Sequence, residues 1–221
     1  MPNAAVTTVF WDFGGVLTTS PFEAFNRYEA EAGLPRDLIR TLNATNPDAN
    51  AWARLERSDI TVDEFSEVFE AEALAAGHRI DGNEVLACLS GDLRPGMVEA
   101  LRRCAKHLRC VCVTNNIRTG EGPGMATDAG RAAAIDQVME LFDVIVESSV
   151  VGVRKPELRF YEVALAQAGA EPTEVVYLDD LGVNLKPARA LGMQTIKVVD
   201  PDVALMQLGE ATGLDLPTRA S

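Results

Sequence analysis

Five short apolar runs constrain this chain more than any other feature of its sequence. They are Val6 to Trp11, Cys110 to Val113, Val144 to Val146, Val175 to Leu178 and Thr195 to Val199. They read as apolar on both faces, the pattern of parallel strands covered by helices above and below. Helical spacing fills the intervals. Pro95 to His107 carries Met97, Val98, Ala100, Leu101 and Cys104 on one face; Pro156 to Ala168 carries Leu158, Tyr161 and Leu165; Leu185 to Leu191 closes at Gly192. Strands alternating with helices predict an α/β fold, a doubly wound, Rossmann-like parallel sheet. At about 150 residues per domain, 221 residues suit one core with a smaller insert.

Residues 18–93 break the alternation. Phe22, Phe25 and Tyr28 have helical spacing, and Thr61-Val-Asp-Glu64 is a capping-box pattern that opens a helix through Phe65, Val68, Phe69 and Leu74. The expected division is therefore a core of residues 1–17 and 94–221, with an all-helical domain at 18–93 inserted after the first strand. A second interruption, residues 117–130, is rich in glycine and reads as an irregular loop.

Composition narrows the partners. The formal net charge of −13 disfavours nucleic acid and anionic membranes, but not a small anion held by a local positive site. No apolar run nears the roughly 18 residues of a membrane span, and the first residues lack the basic start of a signal peptide. The four cysteines, Cys88, Cys104, Cys110 and Cys112, have no zinc-like spacing with His78 or His107. They are expected to be buried, reduced thiols of a cytoplasmic protein, with Cys110 and Cys112 on one face of a strand.

Open α/β sheets gather ligands beyond the carboxyl ends of their strands. Asp12 follows the first run, Thr114 and Asn115 follow the second, Asp179 and Asp180 follow the fourth, and Lys155 precedes a helix. Singly, each is ordinary: an Asp there caps a helix, Thr-Asn makes a turn, and Lys-Pro punctuates a helix start. Together, in order on one sheet, they suit phosphoryl transfer. Asp12 is a candidate nucleophile, and clustered carboxylates of this kind need a cation such as Mg2+ between them. Thr114 and Asn115 offer donors to phosphoryl oxygens, Lys155 offers a fixed charge, and Gly14 and Gly15 let the backbone turn closely around the site.

These stretches resemble the haloacid dehalogenase superfamily of hydrolases, in the branch with a helical C1-type cap. The matching segments are Val9-Phe-Trp-Asp-Phe-Gly-Gly-Val-Leu17, Val113-Thr-Asn-Asn116, Gly152-Val-Arg-Lys-Pro-Glu157 and Tyr177-Leu-Asp-Asp-Leu-Gly-Val-Asn184. Val150 to Val199 is similar to the phosphatase domain of soluble epoxide hydrolases. The resemblance implies Asp12 as nucleophile and Thr114, with Asn115 and Gly15 beside it, at the phosphoryl group. It also implies Lys155 as the steadying cation. Asp12, Asp180, its neighbour Asp179 and the Gly14 carbonyl then stand around Mg2+, with Asn184 near that shell. The implied partner is a small phosphorylated metabolite, hydrolysed through an aspartyl-phosphate.

One departure matters. Phosphatases of the family usually carry an acid two residues after the nucleophile, where this chain has Gly14, and a glycine exchanges no proton. Three activities therefore compete: a phosphatase, a metal-independent 2-haloacid dehalogenase, and a binding or regulatory protein of low turnover. The aromatics Phe22, Phe25, Tyr28 and Trp52 are candidates to line a substrate pocket or to pack within the insert itself.

Overall fold

The computed structural model of the protein describes residues 5–117 and 129–217. Most of the glycine-rich stretch expected to be an irregular loop lies outside the described residues. Five parallel strands form one sheet: β1 (Thr8–Trp11), β2 (Arg109–Thr114), β3 (Val144–Glu147), β4 (Val175–Asp179) and β5 (Gln194–Lys197), in the order β3-β2-β1-β4-β5. β1 is central because all four of its side chains are apolar or tolerate burial, and all four are buried. Its register sets Thr8 beside Arg109 on one side and Val175 on the other, so the ends of β1, β2 and β4 come together at one edge.

The pleat sorts side chains by parity. Val9, Trp11, Cys110, Cys112, Val176 and Leu178 face α6 (Pro95–Cys104) and α11 (Pro201–Thr212). Phe10, Val111, Val113, Val175 and Tyr177 face α9 (Leu158–Ala168) and α10 (Gly182–Leu191). Helices on both faces make this the doubly wound α/β sheet expected from the sequence. α7 (Ala129–Met139) and the short α8 (Ser148–Val151) flank β3 in the chain.

Between β1 and α6 lies a helical insert of α1 (Pro21–Glu31), α2 (Leu38–Ala44), α3 (Ala51–Glu56), α4 (Val62–Ala75) and α5 (Gly82–Ala87). Where it leaves and rejoins the core, Thr18 pairs with Leu93 in an isolated antiparallel bridge. The insert has its own core. Trp52 meets the edge of Phe65 at 4.8 Å between centroids, and Phe65 stacks on Phe69 at 5.4 Å. Thr61 and Glu64 form the reciprocal capping box that starts α4.

Several boundaries differ from the sequence reading. β3 and β5 are edge strands, so Ile145 is exposed and β5 stops at Lys197, leaving Val199 in solvent before Asp200 caps α11. α9 begins at Leu158 and not at Pro156, because Asn115 captures the backbone of Lys155 and holds that segment out of the helix. α10 begins at Gly182, three residues early, with Asn184 and Leu185 already bonded back to Leu181. Leu74 is exposed, since the inner face of α4 is formed by Phe65, Phe69 and Ala73. Cys110 and Cys112 do share a face, and all four cysteines are free, but Cys88 is only half-buried.

Loss of an N-cap hydroxyl typically costs about 1 kcal/mol. Urea unfolding of Thr61→Ala is expected to show a stability loss of about that size with an unchanged denaturant slope; an unchanged midpoint would show that the capping box adds nothing to α4.

Candidate active site

The ladder between β1 and β4 extends one residue past β1: the Asp12 amide donates to Leu178 O at 2.9 Å. Asp12 and Asp179 therefore end neighbouring strands side by side. Lys155, from the loop before α9, is wholly buried between them. Its Nζ lies 2.8 Å from Asp12 Oδ1 and 2.9 Å from Asp179 Oδ2. Phe13 N also donates to Asp12 Oδ1, at 2.7 Å, so among the described residues Asp12 Oδ2 has no donor.

The two adjacent acids of β4 have different environments. Asp179 is fully buried and accepts from Lys155 Nζ, Tyr177 Oη, the Leu181 amide at 2.8 Å and Asn184 Nδ2 at 3.1 Å. Its oxygens are saturated. Asp180 accepts from Ser20 Oγ, at 3.2 Å, and reaches back over Gly15. Gly15 has φ +76°, and a Cβ built on it would stand 2.2 Å from Asp180 Oδ2, so a side chain there would strain the backbone and displace the Asp180 carboxylate. Gly14 differs: a Cβ there meets nothing within 4 Å.

One oxygen from each of Asp12, Asp179 and Asp180 lies within 4.8 Å of the others. Three carboxylates against the single ammonium of Lys155 leave two uncompensated negative charges, the charge of one divalent cation. The crowding of charge acts on Asp12 and Asp180. Burial, then the neighbouring Asp179 and Asp180, hold the Asp12 carboxyl well above the usual carboxylate range despite the pull of Lys155. Burial and Asp179 push Asp180 up to about 6. Burial alone would lower the Lys155 pKa, but Asp12 and Asp179 outweigh it and keep the ammonium charged. The oxygen-only donor set fits Mg2+, with Asp12 and Asp180 as the side chains that have oxygens to spare.

Thr114 ends β2, buried, facing the same cavity as Asp12. Asn115 is placed differently from a free phosphate donor. Its Oδ1 accepts from the Lys155 amide at 2.8 Å, and its Nδ2 donates to Lys155 O at 3.0 Å and to Glu56 Oε2 at 2.9 Å. Asn184 serves Asp179. The cavity above these residues holds about 600 Å3, and the insert supplies its apolar wall, including Phe22, Phe25, Trp52 and Leu89. Phe22, Phe25 and Trp52 thus both pack in the insert and face the cavity, whereas Tyr28 only packs.

Sequence reasoning passed over Tyr177, Ser20, Glu56 and Arg154. Tyr177 had a signal: it stands two residues before Asp179, on the same face of the strand. Glu56 had none, because its partners are 59 and 98 residues away.

The family model for haloacid dehalogenase-like hydrolases matches residues 6–192. The chain belongs to this family. Among its relatives, bifunctional epoxide hydrolase 2 of Sus scrofa is 30% identical, over 96% of this chain and 40% of that protein. The sesquiterpene phosphatase astK of Aspergillus oryzae is 28% identical, over 92% of this chain and 95% of that one. The chain spans less than half the length of the first curated relatives it matches. A solved enzyme of the family, BT-2542 of Bacteroides thetaiotaomicron in complex with magnesium and inorganic phosphate, shares the fold. Its TM-score is 0.58 at 17% identity, over 87% of this chain and 94% of that one. Among the described residues, no helix of this hydrolase is long and apolar enough to cross a membrane.

The raised acids carry a pH signature. A carboxyl whose pKa rises on folding favours the folded state while protonated, and that contribution fades as pH climbs to its folded pKa. Metal-free protein should therefore lose thermal stability between pH about 4 and about 6, and Mg2+ should restore it above pH 6. In Asp180→Asn both effects should shrink. A melting temperature that ignores Mg2+ at pH 7 would contradict the cation site.

Proposed function

We propose that this hydrolase is a Mg2+-dependent phosphohydrolase of a small phosphate monoester, working through an aspartyl-phosphate on Asp12. The observation that carries the reading is the largely buried cluster of Asp12, Asp179 and Asp180 around one lysine, with two negative charges left uncompensated.

The roles follow from the contacts. Lys155 and the Phe13 amide occupy Oδ1 of Asp12, which leaves Oδ2 to attack phosphorus while the bond to the leaving oxygen breaks. Asp180 and the Gly14 carbonyl would hold the Mg2+ beside Asp12, and the ion would supply positive charge to the phosphoryl oxygens. Thr114 donates to one of those oxygens from the end of β2, and Gly15 lets the backbone approach the group. Asp179 keeps Lys155 charged and in place. Water then releases phosphate from Asp12. The helical insert, residues 18–93, acts as a cap that covers the strand ends and keeps bulk water from the phosphorylated carboxylate.

The apolar cap wall favours a substrate whose organic group is apolar, in keeping with a relative named for a sesquiterpene phosphatase activity. Gly14 favours one further reading, a site that binds phosphate but turns over slowly. A haloacid dehalogenase suits the cluster less, because unneutralised acids beside Asp12 would repel an anionic haloacid.

Gly14 also makes the mechanism testable. Nothing at that position protonates the leaving oxygen, so alkyl esters must expel a poorly stabilised alkoxide. With Mg2+, kcat for p-nitrophenyl phosphate or acetyl phosphate should exceed that for a sugar phosphate by about 10^2, the low end of general acid catalysis. The space around Gly14 admits a side chain, so Gly14→Asp should raise the alkyl rate toward the aryl one. Equal wild-type rates, with chemistry limiting, would mean that another group donates the proton; halide release without metal would replace the phosphatase reading.

A further inference from the structure

Among the polar contacts that join the cap to the core around Lys155, one is made by a carboxylate of the cap. Glu56, in the last turn of α3, is largely buried and accepts from Arg154 Nε and from Asn115 Nδ2 at 2.9 Å. Both partners adjoin the lysine. Arg154 precedes it in the chain, and Asn115 clamps its peptide N–H at 2.8 Å and its carbonyl at 3.0 Å. Arg154 also donates through Nη1 to Pro47 O at 3.0 Å, a second grip on the cap. Nearby, Ser58 Oγ donates to Ser149 O at 3.2 Å and Arg57 pairs with Glu157 at 3.5 Å. The docking face of the cap is thus polar, and its most buried charge is joined to the backbone of Lys155.

We propose that Glu56 is a positioning residue for Lys155, acting through the Asn115 amide, so that seating the cap and placing the lysine ammonium on Asp12 are one event.

The chemistry supports this division of labour. A primary amide can rotate, and Asn115 needs a fixed orientation to offer Oδ1 to the Lys155 N–H and Nδ2 to its carbonyl. Glu56 takes a bond from that same Nδ2 and selects this orientation. Its negative charge is met by Arg154, so it adds no uncompensated charge beside Asp12. With the cap lifted, Glu56 leaves both partners at once, and the Lys155 segment loses its hold from outside the core. A closed cap is then the state with an ordered catalytic cation. Misplacing a catalytic group by about 1 Å can cost about 10^2 in rate.

The inference takes its kinetic meaning from the phosphohydrolase reading, but one of its two readouts is independent of activity. The first is a double-mutant cycle on p-nitrophenyl phosphate hydrolysis with Mg2+. Glu56→Ala should lower kcat by about tenfold and change KM by less than about twofold. In an Asn115→Ala background the same substitution should change kcat by less than about twofold, because the link is already cut. Glu56→Gln, which keeps the shape and one acceptor, should fall between the two and guards against a misfolded alanine variant. Multiplicative losses, or an unchanged kcat in folded Glu56→Ala, overturn the proposal. The second readout is hydrogen exchange at the Lys155 amide, followed by NMR. Exchange should accelerate by about tenfold or more in Glu56→Ala and less in Glu56→Gln. Unchanged protection overturns the proposal whatever the activity. If the wild-type protein hydrolyses no phosphate ester, the functional reading falls and the exchange result alone decides the role of Glu56.

Discussion

The ammonium of Lys155, held 2.8 Å from Asp12 and 2.9 Å from Asp179, is the interaction on which the rest of the site depends. It joins the ends of two neighbouring strands to a third loop, with no water needed between them. Burying an ion costs several kcal/mol, and this one is repaid by two carboxylates whose own oxygens are shared with Phe13, Tyr177, Leu181 and Asn184. Removing the lysine would leave buried carboxylates without a counter-charge, an outcome that typically costs about 3–5 kcal/mol. Much of the local structure serves this arrangement. Asn115 pulls the Lys155 peptide out of α9, and Tyr177 donates its hydroxyl to Asp179 from within the sheet.

The two glycines after Asp12 serve different ends. Gly15 answers to sterics, since its φ of +76° strains any side chain and the carboxylate of Asp180, 2.2 Å from its missing Cβ, would have to move. Gly14 has open space around it, so the fold does not demand glycine there. Its effect is chemical: the site offers a backbone carbonyl beside Asp12 where an acid would otherwise add both charge and a proton. Under the proposed phosphatase reading, an apolar cavity over a site without that acid suits esters with good leaving groups.

Much of this was legible before any coordinates. Apolar runs ending in Asp12, Thr114 and Asp179 placed those residues at one sheet edge, because parallel strands of a doubly wound sheet all end on the same side. Thr61 and Glu64 announced the start of α4 through local chemistry alone. The rest depended on distant partners. Neighbouring acids cannot be told apart by type, and it was the donors from Tyr177, Leu181 and Asn184 that made Asp179 the saturated one. The early start of α10 and the late start of α9 follow from side chains bonded to backbone across the fold. Exposure of Ile145 and Val199 reflects strand order, which the runs themselves do not encode. The contact of Glu56 with Arg154 spans 98 residues and joins the helical insert to the segment before α9, beyond the reach of any periodicity.

The most direct test of the account is whether Asp12 carries the phosphoryl group during turnover. Enzyme mixed with acetyl phosphate and Mg2+, quenched in acid within one turnover and digested, should give a peptide containing Asp12 heavier by one phosphoryl group. The label should disappear on treatment with hydroxylamine, and neither Asp12→Asn nor metal-free enzyme should acquire it. Phosphate release in step with turnover, with no label on that peptide at any quench time, would contradict the nucleophile assignment and the account built on it.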